Sequence, residues 1–573
     1  MCGLFCLIKK KKFNFNKEQL SKTKSFLNHR GPDDFNTLVH ENIFISHSRL
    51  EIIDKDNGKQ PMKENGIVLI FNGEITNFIE LKDELKNKVN FSTKSDTEVI
   101  LKLYKLYGKN FIKKLKGFFS IIILDKKKNL IIVARDFLGS KPLYYLENEN
   151  FLAFCSEIRP LIKMNLTKFE IRKDLINEYI VFGYIAGEDK LIKNVREFPI
   201  STIMEINLKN FKKTKRKYWD PVNKFENIDK EQYALEKFED ILERIIKQWS
   251  RTDTRLGVFQ SGGIDSSIIA ANLKRKFVSL NAVFPKDTEL SEDKNIDYLK
   301  KKFNLNISKI NINESIDYKD LINLSKIADE PFHDANSHVF LKMCSFAKSK
   351  NIKTIITGDG GDEIFGGYQR YKSVAKRFDK LKNPEIIILA LNYLSIQRLK
   401  KICRNFSLDL SERIKIFNSI KSKYSINKCL EMDQLTYLNP WLHRIDRISM
   451  ANGIEVRSPF LDSEMINFAN NLHPDLKIKN NIHKYLLRKY LNKITSSEFA
   501  TSRKIALRSP DVRSFYSGNL KNIYKKILNK KSFISTIYDI EGVLELLKKH
   551  SFKNDNSNTL WRLLSFEAWY QSW

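Results

Sequence analysis

The chain has 573 residues, 42% of them hydrophobic and 12% aromatic. At roughly 100–200 residues per domain this suffices for two to four ordinary cores, and it excludes wholesale disorder and a fibrous repeat. Lys and Arg number 100 against 68 Asp and Glu, a formal charge of +32. The lysines run along the whole chain, without an Arg-Gly run or a Cys/His finger, so no nucleic-acid partner is expected from charge alone. Six cysteines with no C-x-x-C pair argue against a disulfide framework or a structural zinc site. No apolar run reaches the ~18 residues of a membrane span. In MCGLFCLIKKKK the apolar run precedes the basic cluster, the reverse of a signal peptide, so a cytoplasmic protein with no membrane partner is expected.

In chain order, the first 200 residues read as strand-rich. IVLIFNGEI (67–75), FFSIIILD (118–125), LIIVARD (130–136) and FLAFCSE (151–157) are short β-branched or aromatic runs bounded by turns. Only 77–88 and 95–108 between them have helical spacing. Strands in runs with few helices predict sandwiched antiparallel sheets. The polar, basic stretch 206–230 has no period and reads as a connector. An amphipathic helix is predicted over 232–250. Buried strands then alternate with helices: 255–263 with 264–276, 279–285 with 291–303, and KTIITGDGG (353–361). That alternation predicts a parallel sheet with crossover helices. The remainder is largely helical. The division is therefore 2–205, a connector 206–230, and 231–573.

Cys2 directly follows Met1. Removal of Met1 would leave a cysteine whose own α-amine, pKa about 7.7–8.0, can take the thiol proton. Such a nucleophile attacks amides, and the oxyanion formed needs preorganised donors. FNGE supplies the Asn72 side-chain amide beside the Gly73 backbone N–H at a strand end. Were the substrate glutamine, Arg49 could clamp its α-carboxylate, and Glu74 and Asp96 its α-ammonium. Each of these alone also reads as a solvated charge or a helix cap.

GVFQSGGIDSS (257–267) sets a Gly-rich turn between a buried strand and a helix, where backbone N–H groups and the helix N-terminus favour phosphate. SGG-x-DSS after a strand resembles the pyrophosphate loop of enzymes that cleave ATP between the α and β phosphates, which implies that Ser261, Gly262, Gly263, Ser266 and Ser267 bind ATP and that Asp265 could hold Mg2+. There is no Walker loop. TGDGGDEIFGGYQRY (357–371) brings Asp359, Asp362 and Glu363 within five residues after an apolar run, a spacing that calls for a cation.

MCG, RGPDD (30–34), HSRL (47–50), GKQPM (58–62), FNGEI (71–75), SDTEV (95–99) and ARDFLGSKPLYY (134–145) stand in the order of class II glutamine amidotransferase domains, which the chain resembles over 2–205. The resemblance implies a four-layer αββα N-terminal-nucleophile hydrolase with Cys2 as nucleophile, Asn72 and Gly73 as oxyanion hole, and Arg49, Glu74 and Asp96 on glutamine. Glu51 stands where a small residue is expected. Over 231–573 the two loops, HRIDRISMANGIEVRSPFLD (443–462), HKYLLRKY (483–490) and a Trp-rich end resemble the synthetase domain of glutamine-dependent asparagine synthetases. This implies an α/β parallel-sheet ATP-pyrophosphatase domain with a largely helical end. By the same resemblance Asp265 and Asp362 would bind Mg2+, and Lys484 would stabilise the α-phosphate. Main-chain groups at Val283 and Gly358 would face adenine, Asp359 would stand at the base position, and Glu455 and Arg457 would bind the acceptor. The implied reaction makes an amide on a carboxylate through an acyl-adenylate, with ammonia passing between the sites along an apolar passage. Aspartate is the expected acceptor, with a sugar acid as the alternative, and many relatives are homodimers. An RNA-modifying enzyme could share the SGG-x-DSS loop, but would need neither Cys2, Asn72 nor Asp96.

Overall fold

A computed structural model describes residues 2–10, 17–221, 226–284, 293–312, 316–331, 336–378, 383–392, 396–502, 519–551 and 554–573. Met1, 222–225 of the connector and 291–292 of the expected 291–303 helix lie outside the described residues.

The first twelve strands are β1 (Gly3–Lys9), β2 (Asp34–His40), β3 (Ile43–Arg49), β4 (Met62–Glu64), β5 (Ile67–Ile75), β6 (Gly117–Asp125), β7 (Leu130–Arg135), β8 (Tyr144–Glu147), β9 (Phe151–Cys155), β10 (Val195–Glu197), β11 (Thr202–Asn207) and β12 (Lys213–Lys217). They form two six-stranded sheets, ordered β10-β8-β9-β1-β3-β2 and β12-β11-β7-β6-β5-β4. Period-2 alternation decides the layers. Leu4, Cys6 and Ile8 of β1 face Val68, Ile70, Ile122 and Leu124 across the sandwich. Phe5 and Leu7 face outward onto helices Lys17–Leu27, Ile158–Lys163 and Ile176–Phe182. On the far side Leu69, Phe71, Ile121 and Ile123 pack on helices Phe78–Leu85 and Asp96–Tyr107. Both faces of each sheet are covered, so the strands read as continuous apolar runs. The result is the expected αββα stack.

The stretch 206–230 is not all connector. Lys213–Lys217 is an edge strand paired with β11, from Thr202↔Lys217 to Ile206↔Lys213. Its side chains are mostly exposed, so K-T-K-R-K shows no apolar alternation; charged edges of this kind also resist edge-to-edge association.

The second unit is built on β13 (Leu256–Phe259), β14 (Val278–Val283), β15 (Ile307–Asn311), β16 (Thr354–Ile356) and β17 (Glu455–Arg457), all parallel in the order β15-β14-β13-β16-β17. The chain winds outward through β14 and β15, then returns to the other side of β13. That reversal opens a crevice beyond the carboxyl ends of β13 and β16, where ligands bind in such sheets. Most of the remaining described chain is helical. The last helix, Ser557–Gln571, docks on Ile176–Phe182 of the first unit, with Tyr179 Oη and Ser565 Oγ 3.0 Å apart. Among the described residues no helix is long and apolar enough to cross a membrane.

Candidate active sites on the two units

Cys2 sits at the foot of β1, 6% exposed. Its backbone N–H donates to Asn72 Oδ1 at 2.9 Å, and Arg30 Nε donates to its carbonyl at 3.1 Å. Burial pushes the thiol up from its ordinary value, so proton removal needs a neighbouring base. With Oδ1 engaged, the Asn72 amide nitrogen is buried and has no hydrogen-bond partner among the described residues. An unused donor beside a nucleophile suits an oxyanion. Gly73 has φ +150°, and a Cβ there would fall 1.9 Å from the Phe118 carbonyl oxygen on β6. Only glycine keeps the β5–β6 ladder intact at this point.

A pocket in front of Cys2 is walled by Arg49, Gly73, Glu74, Asp96 and Glu455, with Leu50, Ile52 and Phe71 as apolar parts. Arg49 lines it while donating to the carbonyls of Lys55 at 2.8 Å and Asp54 at 2.6 Å, which shapes the 53–58 turn. The unexpected Glu51 lies 3.6 Å from Arg49 as an ion-pair partner. Asp96 begins its helix behind the Ser95 cap and accepts from the Ile75 N–H at 3.1 Å. Burial raises Asp96 to about 6, and raises Glu74 well above the carboxylate range, although Arg457 opposes the latter. Burial would also raise Glu455, but Arg457 outweighs it and holds that carboxyl at about 2.

The structure places Glu455 and Arg457 at the boundary between the two units. They were expected at the acceptor site beside the ATP loop. Glu455 lines the Cys2 pocket, and Arg457 Nη2 lies 3.0 Å from Glu74 Oε2. The reason is topological: β17 is the edge of the parallel sheet and meets the first unit.

Three residues carry structure that sequence reasoning left unassigned, although their motifs were in view. Gln60 Oε1 accepts from the Phe71 N–H at 2.7 Å, and His47 Nε2 lies 3.0 Å from the Phe71 carbonyl. Together they fix the strand just before Asn72. Burial lowers His47 to about 3, so it is neutral and Nε2 carries the donated proton. Arg30, fully buried, ties Cys2 to Glu157 at 3.1 Å and to Asp446 of the second unit at 2.6 Å.

In the second centre the turn after β13 is braced by its own hydroxyls. Gly263 N–H donates to Ser261 Oγ at 3.1 Å, Ser267 Oγ donates to the Gly263 carbonyl at 2.6 Å, and Ser266 Oγ to the same carbonyl at 3.3 Å. Gly262 takes φ +83°. Helix Ile264–Asn272 then points its N-terminus at the crevice. The loop after β16 packs directly on this turn: a Cβ on Gly358 would meet Asp265 Cβ at 2.7 Å, and one on Gly361 would meet Asp265 Oδ1 at 2.6 Å. Lys484, in the left-handed region at φ +56°, inserts its ammonium between Asp265 and Asp362, 2.8 Å from the latter. Burial alone would lower this lysine, but the two carboxylates raise it above the ordinary value.

The three acids of the second loop part company. Glu363 accepts from Tyr368 Oη at 2.7 Å and Asp359 from Trp441 Nε1 at 3.3 Å, while Asp362 joins Asp265 at the lysine. Among the described residues no three His, Cys, Asp or Glu side chains form a ready ligand set. Asp265 and Asp362 nevertheless suit a hard cation. Both are oxygen donors converging on one charge, and glycines leave them room: a Cβ on Gly367 would fall 1.7 Å from Asp362 Oδ1. The Val283 carbonyl is taken by Ile312 N–H at 2.9 Å.

The units meet through buried charge as well as apolar contact. Lys141 lies 3.4 Å from Asp446, Arg135 Nη2 2.5 Å from His443 Nε2, and Leu50, Ile52 and Met450 pack together. Breaking one partner of such a buried pair costs about 3–5 kcal/mol.

A buried cysteine with an idle amide donor, joined through one interface to a phosphate-type loop with two acids and a lysine, defines a two-centre amidotransferase. Residues 1–219 match the glutamine amidotransferase domain family and 237–571 match the asparagine synthase family. The chain is similar to glutamine-hydrolysing asparagine synthetase 1 of Bacillus subtilis, at 30% identity over 97% of this chain and 95% of that one. It is also similar to asparagine synthetases 2 and 3 of the same organism, at 29% (88% and 70% covered) and 26% (96% and 94%). The chain belongs to the asparagine synthase family.

Proposed function

We propose that this chain is a glutamine-hydrolysing asparagine synthetase, an ATP-dependent ligase that amidates aspartate with ammonia taken from glutamine. The observation that carries the reading is the pairing of the Cys2 pocket with the β13/β16 crevice in one chain. In the first centre Cys2, its proton passed to the α-amine that Met1 removal frees, attacks the glutamine side-chain amide. Asn72 Nδ2 and Gly73 N–H hold the oxyanion, ammonia leaves, and water hydrolyses the thioester to glutamate. Arg49 faces the α-carboxylate, and Glu74 and Asp96 the α-ammonium.

In the second centre the 261–267 turn cradles the ATP phosphates and Lys484 stabilises charge growing on the α-phosphate during attack by the aspartate carboxylate. Asp265 and Asp362 would hold Mg2+, which would offset the charge of the pyrophosphate leaving group. The Gly358 and Val283 main chain borders the adenine, and Asp359, held by Trp441, acts on the incoming ammonia. Ammonia must travel neutral, because stripping water from ammonium is costly. The aspartate assignment rests on the named relatives over a sugar-acid acceptor. Incubating the chain with glutamine, ATP, Mg2+ and either aspartate or a uronic acid tests it. Asparagine, AMP, pyrophosphate and glutamate are expected with aspartate; amidated uronate without asparagine would overturn it.

A further inference from the structure

We propose that the glutamine pocket is completed from the synthetase sheet, with Glu455 supplying a carboxylate to the α-ammonium site and Arg457 acting as a positioning residue that holds Glu74 from across the domain boundary. The proposal rests on reading the Cys2 pocket as a glutaminase site.

The geometry commits both residues. Arg457 is 1% exposed and its guanidinium lies within the interface. Nε donates to Glu455 Oε1 at 2.5 Å, Nη1 donates to the carbonyls of Trp249 at 2.9 Å and Arg251 at 2.5 Å, and Nη2 lies 3.0 Å from Glu74 Oε2. Nη2 makes that ion pair without a hydrogen-bond partner among the described residues, so the guanidinium is directed at the first unit. Its neighbour Arg251 reaches the same way, donating to the Thr76 carbonyl at 2.9 Å and clasping Glu80 at 2.6 Å.

Among the described residues, Arg49 is the one cation that lines the pocket these contacts close, against three carboxylates. Glu74, Asp96 and Glu455 all line it, and Arg457, shared between Glu74 and Glu455 from behind, brings one positive charge against the three carboxylates. Glu74 is 5% exposed, and its Oε1 is buried without a hydrogen-bond partner among the described residues. A buried, unsatisfied carboxylate oxygen is costly. An α-ammonium entering the pocket brings the missing cation and donors. The raised Glu74 and Asp96 carboxyls fit a site built for a positive charge that has not yet arrived.

The same strand reaches the second centre through its backbone. The Arg457 carbonyl accepts from Thr357 N–H at 2.9 Å, and Ser458 Oγ lies 3.2 Å from Thr357 Oγ1. Thr357 is the residue before Gly358 and Asp359.

The test uses the full chain and the variants Glu455→Gln, Arg457→Lys and Arg457→Gln. Glutamate release from glutamine is measured without ATP or acceptor, and asparagine formation from ammonium, aspartate and ATP is measured separately. Losing one charge-assisted contact predicts a glutamine KM raised about tenfold or more in Glu455→Gln, with kcat changed less than about threefold. Arg457→Gln should match it, Arg457→Lys should recover part of the loss, and the aspartate KM should move less than about twofold. A glutamine KM within twofold of the parent in Glu455→Gln, whatever the aspartate KM does, overturns the proposal. Ammonium-driven synthesis reports folding of each variant. The glutaminase assay contains no acceptor, so a wrong acceptor leaves its readout intact; a parent chain without glutaminase activity would instead sink the underlying reading.

Discussion

Asn72 offers the sharpest perturbation of the first centre, because its two side-chain atoms have separable tasks. Oδ1 accepts from the Cys2 N–H at 2.9 Å, while Nδ2 is buried and idle among the described residues. Asn72→Ala removes both. Leaving the buried Cys2 donor unsatisfied costs about 1–3 kcal/mol of stability. Losing an oxyanion donor costs a further ~2.7–4 kcal/mol in the transition state alone, a fall of about 10²–10³ in kcat. Asn72→Asp keeps the acceptor but replaces the donor with an anion, in a pocket that already holds Glu74, Asp96 and Glu455. Its kcat should fall at least as far, with the Cys2 contact retained. The assay is glutamate release at saturating glutamine, with denaturant melts run alongside to separate stability from catalysis. Ammonium-driven synthesis, which does not use this pocket, should stay within about twofold. A kcat within tenfold of the parent in both variants would refute the oxyanion role.

Three further outcomes are expected. Lys484→Met leaves Asp265 and Asp362 facing each other without the shared cation; it should cost about 3 kcal/mol in a chemical melt, partly restored by added Mg2+, and cut synthesis from either nitrogen source at least about 10²-fold while glutaminase persists. Gly367→Ala puts a Cβ 1.7 Å from Asp362 Oδ1 and 2.5 Å from Lys484 Cε, so ATP-dependent turnover should fall without loss of glutamine hydrolysis. With Asp96 held near 6 by burial, kcat/KM for glutamine should fall as pH drops below about 6, because the protonated acid no longer attracts the α-ammonium. The sign for stability is opposite: the folded chain binds this proton more tightly than the unfolded one, so Asp96 costs stability as pH rises from about 3.9 toward 6. Asp96→Asn should flatten both limbs, read by initial rates and by melts across pH.

Local pattern carried much of this molecule. Cys2, Asn72, Gly73, Glu74 and Asp96 sit in short motifs; the structure lines one pocket with Cys2, Gly73, Glu74 and Asp96, and Asn72 bonds Cys2 beside it. The same holds for Asp265, Asp362 and Lys484, although the lysine lies more than two hundred residues from its first partner. What could not be read was long-range placement. Glu455 and Arg457 look like second-centre residues because they follow its motifs in sequence, and only the strand order sends them to the domain boundary. Glu363 stands beside Asp362 in sequence, but its helix turns it toward Tyr368. Edge strand β12 was hidden because an exposed, charged edge has no apolar face to reveal it. Arg30 was visible as a motif letter, but its bond to Asp446 spans 416 positions and no local pattern encodes such a pair.

The central claim is that sulfur chemistry at Cys2 supplies the nitrogen that the β13/β16 crevice consumes. Cys2→Ala, assayed with aspartate and ATP and with glutamine or ammonium as the sole nitrogen source, tests it most directly. Asparagine should form from ammonium at close to the parent rate, and none should form from glutamine. Undiminished synthesis from glutamine would contradict the account.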